Sequence, residues 1–295
     1  MTDQPDRRFA STERLLGAGG AKRLQRAHAV VVGVGGVGSW AAEALARSGV
    51  GNITLIDLDQ IVESNINRQV HALKSTLGAA KVDVMAQRLQ QIAPLAAIKA
   101  IEEFIDPDNI AELLPRRTTV VIDAIDAVVA KAALVAWCVN HEVPVIVCGA
   151  AGGRRDPLLL RCEDLARTRG DSLLASLRSR LRRQYGFPAA ASAGGHDPAG
   201  ASKFGVAAIY SGEQSVEPVP ESEAGNDRKG GAPLACAGYG SIVTVTASMG
   251  MAAAARAIDA ILGAPGTSGA GTAAAGTAGA EPAGAEPAGA ELEGS

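Results

Sequence analysis

The chain has 295 residues, long enough for one large domain or two smaller ones, and 47% of them are apolar, so a sizeable core is available. Aromatics are only 3%, which makes that core one of Ala, Val, Leu and Ile. A net charge of −3 excludes nucleic-acid binding by overall charge, so any basic face must be local.

In chain order, residues 1–27 read as a polar helical segment, and their opening "MTDQPDRRF" has no apolar run of the kind a signal peptide needs. A buried strand is predicted over 27–33, a helix over 36–49, a strand over 52–59 and a helix over 78–94, stopped by proline. Strands follow over 96–104 and 118–126, a helix over 131–142, and a strand over 143–153 that runs into glycine. Short apolar runs alternating with amphipathic helices predict a doubly wound α/β core over 28–153, mainly parallel, with helices on both faces. Residues 154–263 follow as a basic helical segment with a helix near 171–185, a return strand over 203–213, a polar surface loop over 217–233 and a long helix over 241–263. Residues 234–255 carry no charge, but their Ala, Gly, Ser and Thr suit a helix packed against the sheet better than a membrane span. The tail 264–295 repeats "AGAEP" and is read as disordered. Cys138, Cys148, Cys162 and Cys236 form no C-x-x-C pair, which points to free buried thiols in a reducing cytosol.

The chemistry begins at "GVGGVG". Gly33, Gly35 and Gly38 have G-x-G-x-x-G spacing between a strand and a helix, and with Gly36 they let phosphates approach backbone at a helix N-terminus. Asp57 ends the next strand, where a carboxylate meets ribose hydroxyls. To this point a dinucleotide and ATP are equally good ligands. The following "LDQIVESNINRQ" decides for ATP. Asp59, Asn65, Asn67 and Arg68 follow the second strand, Lys81 opens the next helix, and Asp123, Ala124 and Asp126 lie at another strand's C-terminal end. Two cations and an acid there suit a triphosphate with Mg2+, and have no part in hydride transfer.

These stretches together resemble the adenylation family that includes ubiquitin-activating and sulfur-carrier-activating enzymes, whose fold is Rossmann-like. The resemblance implies that Gly33, Gly35 and Asp57 hold adenosine, that Asn67, Arg68 and Lys81 hold phosphates, and that Asp123 lies near Mg2+. Arg68, Lys81 and Asp123 would be the catalytic set, and the implied reaction is attack of a carboxylate on the α-phosphate of ATP. A homodimer is implied, though Ser11 stands where some members have an arginine that reaches across it.

Sulfur-carrier activators usually have two C-x-x-C pairs, and this chain has none. Protein-activating branches usually place a cysteine after the core, and residues 163–235 contain none. Structural roles are expected for Cys148 and Cys236. "RFASTERLLG", "NINRQVHAL", "VIDAIDAVVAKAALVAWC" and "GAAGGRRDP" resemble instead the branch that dehydrates threonylcarbamoyladenosine in tRNA. The implied substrate is that tRNA, with cysteine-desulfurase or sulfur-acceptor partners and a cytoplasmic location. The alternative is adenylation of the C-terminal carboxylate of a ubiquitin-like or sulfur-carrier protein. A third reading is a nucleotide-sensing scaffold. Between Arg154 and Arg183 there are nine arginines against four acids. Arg154, Arg155, Arg178, Arg180, Arg182 and Arg183 are accordingly expected to meet tRNA phosphates.

Overall fold

The computed structural model describes residues 7–189, 203–215 and 239–263. A 3-10 turn at Arg7–Phe9 leads into α1 (Ala10–Arg26), which bends at Gly17, where φ is 71°. Then come β1 (His28–Val32), α2 (Gly38–Arg47), β2 (Asn52–Ile56), α3 (Lys81–Ile92), β3 (Ala97–Ile101), a single turn α4 (Ile110–Leu113) and β4 (Val120–Asp123). The chain continues through α5 (Val128–Asn140), β5 (Val145–Cys148), β6 (Leu160–Asp164), α6 (Ser172–Gln184), β7 (Ala207–Ser211) and α7 (Val243–Leu262).

The seven strands lie in the order β3-β2-β1-β4-β5-β7-β6. All pairings are parallel except β6 with β7, which is antiparallel from Leu160↔Ser211 to Asp164↔Ala207. The chain winds outward from β1 to β3, then returns to the other side of β1 at β4. That reversal opens a crevice at the C-terminal ends of β1 and β4, where ligands of doubly wound sheets bind.

The alternation of side chains along a strand explains the two cores. Ala29 and Val31 of β1 pack with α2, α3 and α7 through Leu45, Met85 and Met249. Val30 and Val32 face the other way, with Leu134 of α5 and Leu177 of α6. Buried Glu43 locks α2 to α3 by accepting from Arg88, while Arg47 pairs with it at 2.7 Å.

Two features were not separated in the sequence. β6 (LRCED) is only partly buried and polar, because it is an edge strand paired on one side, so it lacks an apolar run. The turn α4 is too short for helical periodicity. The return strand expected over 203–213 is β7, which joins the same sheet by pairing with β5. The long apolar helix α7 has the length and composition to cross a membrane, yet it buries Val245, Met249, Gly250, Ala253, Ala254, Ala257 and Ile261 in the core. Cys138 and Cys148 are buried free thiols whose pKa burial pushes up to about 12, so neither is a ready nucleophile. Cys162 is half-buried. Cys236, the 217–233 loop and the 264–295 tail lie outside the described residues.

Candidate nucleotide-binding and adenylation site

The glycine loop joins β1 to α2, and two of its glycines are required by contact. Gly33 has φ 84°, and a Cβ there would sit 2.9 Å from the Ala124 carbonyl. A Cβ on Gly38 would run into the carbonyl oxygen of Gly33. The N-terminus of α2 carries no side-chain cap; Ser39 N donates to Gly35 O at 3.1 Å, which leaves the loop N–H groups ahead of it available to an anion. Asp57, one residue past β2, accepts from Val34 N at 2.6 Å with Oδ2 and from Asp59 N at 2.8 Å with Oδ1. The carboxylate thereby shapes the loop from across the crevice. Burial pushes its pKa up, against the pull of Lys81 and these two N–H donors.

Residues 61–79 form an arm closed at its base. Lys81 N donates to Asp59 O at 3.0 Å, and Lys81 Nζ reaches Asp59 Oδ2 at 2.6 Å. The arm swings the Asn65–Gln69 cluster back over the glycine loop. The Arg68 stem is close enough that a Cβ on Gly36 would lie 3.3 Å from its Cγ and Cδ. Trp40 of α2 pins the arm by donating to Arg68 O at 2.9 Å. Arg68 Nη1 donates to Ser64 O and to Asn67 Oδ1, and Asn67 Nδ2 donates to Ser241 O at 2.8 Å. Asn65 is different. It is buried, and its Oδ1 accepts from Val62 N at 3.2 Å, so it builds the arm rather than facing the crevice.

Lys131 occupies one oxygen of Asp123, the acid expected near Mg2+, while the other, Oδ2, is buried without a hydrogen-bond partner. Asp123 is fully buried beneath the loop that follows β4. Its Oδ1 accepts from Lys131 Nζ at 2.9 Å, and the same ammonium donates to Asp123 O and Ile125 O. Burial pushes the Asp123 pKa up and Lys131 opposes it. The pair is a staple that fixes the 123–127 loop, and Asp126 is the half-exposed acid at the sheet edge. Lys131 was not singled out in the sequence. Its only signal is its place in α5, otherwise almost wholly apolar, eight residues beyond Asp123.

The arginines expected to meet tRNA also separate. Arg154 is not on an open face: it is buried, Nη2 donates to Gly170 O at 3.0 Å, and Nε and Nη1 have no partner. The loop that carries it is tied to the arm through one short segment, because Gly153 N donates to Gly240 O at 2.9 Å and Asn67 holds Ser241. Arg155 is exposed, and Arg178, Arg180, Arg182 and Arg183 lie along α6. One further group escaped the sequence reading. His71, midway along the arm, is buried with both ring nitrogens unpartnered.

A crevice of this kind combines a glycine loop at a helix start, a carboxylate that shapes that loop, an arginine over it and an acid at the neighbouring strand end. It can hold a nucleoside polyphosphate and stabilise negative charge as a phosphoryl bond breaks. Comparison with known proteins agrees with that geometry. The ThiF family matches residues 9–278. A tRNA threonylcarbamoyladenosine dehydratase of Escherichia coli strain K12 is 40% identical over 262 residues, covering 88% of this chain and 94% of that protein. Crystal structures of the E. coli tRNA N6-threonylcarbamoyladenosine dehydratase superpose with TM-scores of 0.77 in complex with ATP and 0.76 in complex with AMP. Each is 39% identical and covers 89% of this chain and 96% of the other. The chain belongs to the ThiF family and, within it, to the tRNA threonylcarbamoyladenosine dehydratases.

Proposed function

We propose that the protein uses ATP to cyclise N6-threonylcarbamoyladenosine in tRNA. The threonine carboxylate attacks the α-phosphorus of ATP, forming an acyl–O–P bond as pyrophosphate leaves. The neighbouring carbamoyl group then attacks the activated carbonyl, loses a proton and expels AMP. The ring closes and the nucleoside has lost one water. Ring closure is intramolecular, and that geometry is worth up to roughly 7–11 kcal/mol of barrier. A cysteine relay is therefore unnecessary, in keeping with the inert Cys138 and Cys148.

The observation that carries this reading is the arm that lays Arg68 against Gly36 while Asp57 shapes the same loop. On this reading Gly33, Gly35 and Asp57 take the adenosine side, and Arg68, Asn67 and Lys81 take the phosphates. Lys81 is held in the crevice wall by Asp59 until the nucleotide arrives.

Mg2+ is commonly held by one or two carboxylates plus substrate phosphates. Among the described residues no three His, Cys, Asp or Glu side chains converge as a metal cage. Asp123, whose Oδ2 has no hydrogen-bond partner, would supply a carboxylate oxygen to a magnesium–nucleotide complex, with Asp126 the second acid at the same strand end. Bound there, the ion would neutralise phosphate charge. The same reading carries a homodimer, sulfur-transfer partners of the family kind, and work in the cytoplasm, where tRNA and ATP meet.

The test is to incubate the protein with ATP, Mg2+ and threonylcarbamoylated tRNA, then digest to nucleosides. A product lighter by one water, with AMP released, is expected. Arg68→Ala and Lys81→Ala should each lower kcat/KM by about 100-fold or more, as loss of a charge-stabilising donor does. An unchanged nucleoside under conditions that turn over ATP would defeat the reading. Turnover only with a diglycine-tailed carrier protein would favour the alternative.

A further inference from the structure

The four arginines of α6 have different surroundings. Arg178 is half-buried and donates to Thr168 Oγ1. Arg182 donates to Pro188 O at 3.0 Å and lies 5.2 Å from the centre of the Phe204 ring. These two hold the protein together. Arg180 and Arg183, one helical turn apart, instead line a cavity of about 450 Å3 with Ser176, Ser179 and Val128. The apolar stripe Leu173, Leu174, Leu177 and Leu181 packs inward, which leaves this basic face outward. Arg180 donates only to Gln184 Oε1, at 2.9 Å, and α6 contains no acid. Among the described residues neither Arg180 nor Arg183 has an ion-pair partner.

The opposite wall supplies the second part. Val128 is the first residue of α5, and that helix has no side-chain cap at its N-terminus. A cavity with two guanidinium groups that have no ion-pair partner among the described residues, two hydroxyls and an uncapped helix start has the chemistry to receive phosphate oxygens. Its place matters as much, because Val128 stands two residues beyond Asp126, at the sheet edge that borders the nucleotide crevice.

We propose that this cavity between α5 and α6 seats a backbone phosphodiester of the tRNA beside the modified nucleotide, on Arg180 and Arg183. A phosphate fixed there holds the strand while the threonylcarbamoyl group extends past the start of α5 into the crevice. The proposal rests on the dehydratase reading. It assigns tRNA contact to two of the four α6 arginines and makes the other two structural.

Binding of threonylcarbamoylated tRNA at several salt concentrations tests it, with ATP affinity measured alongside. The Arg180→Ala/Arg183→Ala double variant should bind tRNA about tenfold more weakly, with a log–log salt slope shallower by about 1 to 2. KM for tRNA should rise in step while ATP affinity and the thermal melt stay put. Ser179→Glu, which places a carboxylate in the cavity, should weaken tRNA binding with both arginines intact. The control is Arg116→Ala/Arg117→Ala, which removes equal charge from exposed residues at the opposite sheet edge, just before β4. If the α5–α6 variants keep wild-type affinity and slope, or merely match the control, the cavity is not the seat. Failure of the dehydratase reading looks different: the wild type would then leave the nucleoside unchanged.

Discussion

His71 is the least comfortable side chain in the nucleotide arm. It is 1% exposed, and neither ring nitrogen has a partner. Burial first, then the charges of Lys81 and Arg88, push its pKa down to about 4 from an ordinary 6.5. The folded protein therefore keeps the ring neutral while the unfolded chain takes up a proton, and stability falls as pH drops from about 6.5 towards 4. Between pH 7 and pH 5 this one residue should cost about 2 kcal/mol. Urea unfolding of His71→Leu at the two pH values should show a correspondingly flatter loss than the wild type. Parallel pH curves for the two proteins would show that His71 does not set the acid limb. The sequence hides such groups. A histidine in "NRQVHAL" reads as a loop polar residue, and only the closure of the arm by Asp59 and Lys81 reveals that it is entombed. The two acids of "VVIDAID" pose the same problem. Both lie at the strand end, and the distant Lys131 decides that Asp123 goes under the loop and Asp126 stays at the edge.

At the scale of elements, the parallel strands were legible because burial on both faces demands β-branched apolar runs, as in "AVVV" and "NITLI". The apolar stretch of α7 is also legible as a helix packed against the sheet, and there it lies; its contact with α2 is what the sequence does not show. Its small residues are explained by close approach to α2: a Cβ on Gly250 would collide with the Val37 carbonyl oxygen and come within 2.9 Å of Trp40 Cβ and 3.0 Å of Ala41 N. The contact also reaches the site, because Thr246 of the same helix stands against Gly36, 3.3 Å from where a Cβ would be. Gly250→Val should therefore do two things. Forcing α7 off α2 should cost about 1–3 kcal/mol, read as a lower urea midpoint. It should also weaken ATP binding, although Gly250 itself touches no nucleotide. A variant that loses stability but binds ATP like the wild type would show that the helix supports the fold without supporting the loop.

For the whole molecule, the crevice is assembled from segments far apart in sequence: the glycine loop, the 61–79 arm, the 123–127 loop and the start of α7. Asn67 bridges the arm to Ser241, and Gly153 bridges the β5 loop to Gly240, so a short stretch before α7 ties two walls together. Polyphosphate placed between these walls should act as a cross-link, binding the folded chain and not the unfolded one. At ATP concentrations 100 times Kd the expected stabilisation is about 2.7 kcal/mol. For a chain of this size that corresponds to a melting shift of roughly 5–10 °C. Arg68→Ala should abolish most of the shift while leaving the unliganded melt nearly unchanged, since among the described residues that guanidinium hydrogen-bonds only to the exposed Ser64 carbonyl and to Asn67. Lys81→Ala should lose the shift and also lower the unliganded melt, because Lys81 is buried and paired with Asp59 across the base of the arm. Equal shifts in the wild type and both variants would mean that the nucleotide does not lie beneath the arm, and the assignment of the phosphate side would fall with it.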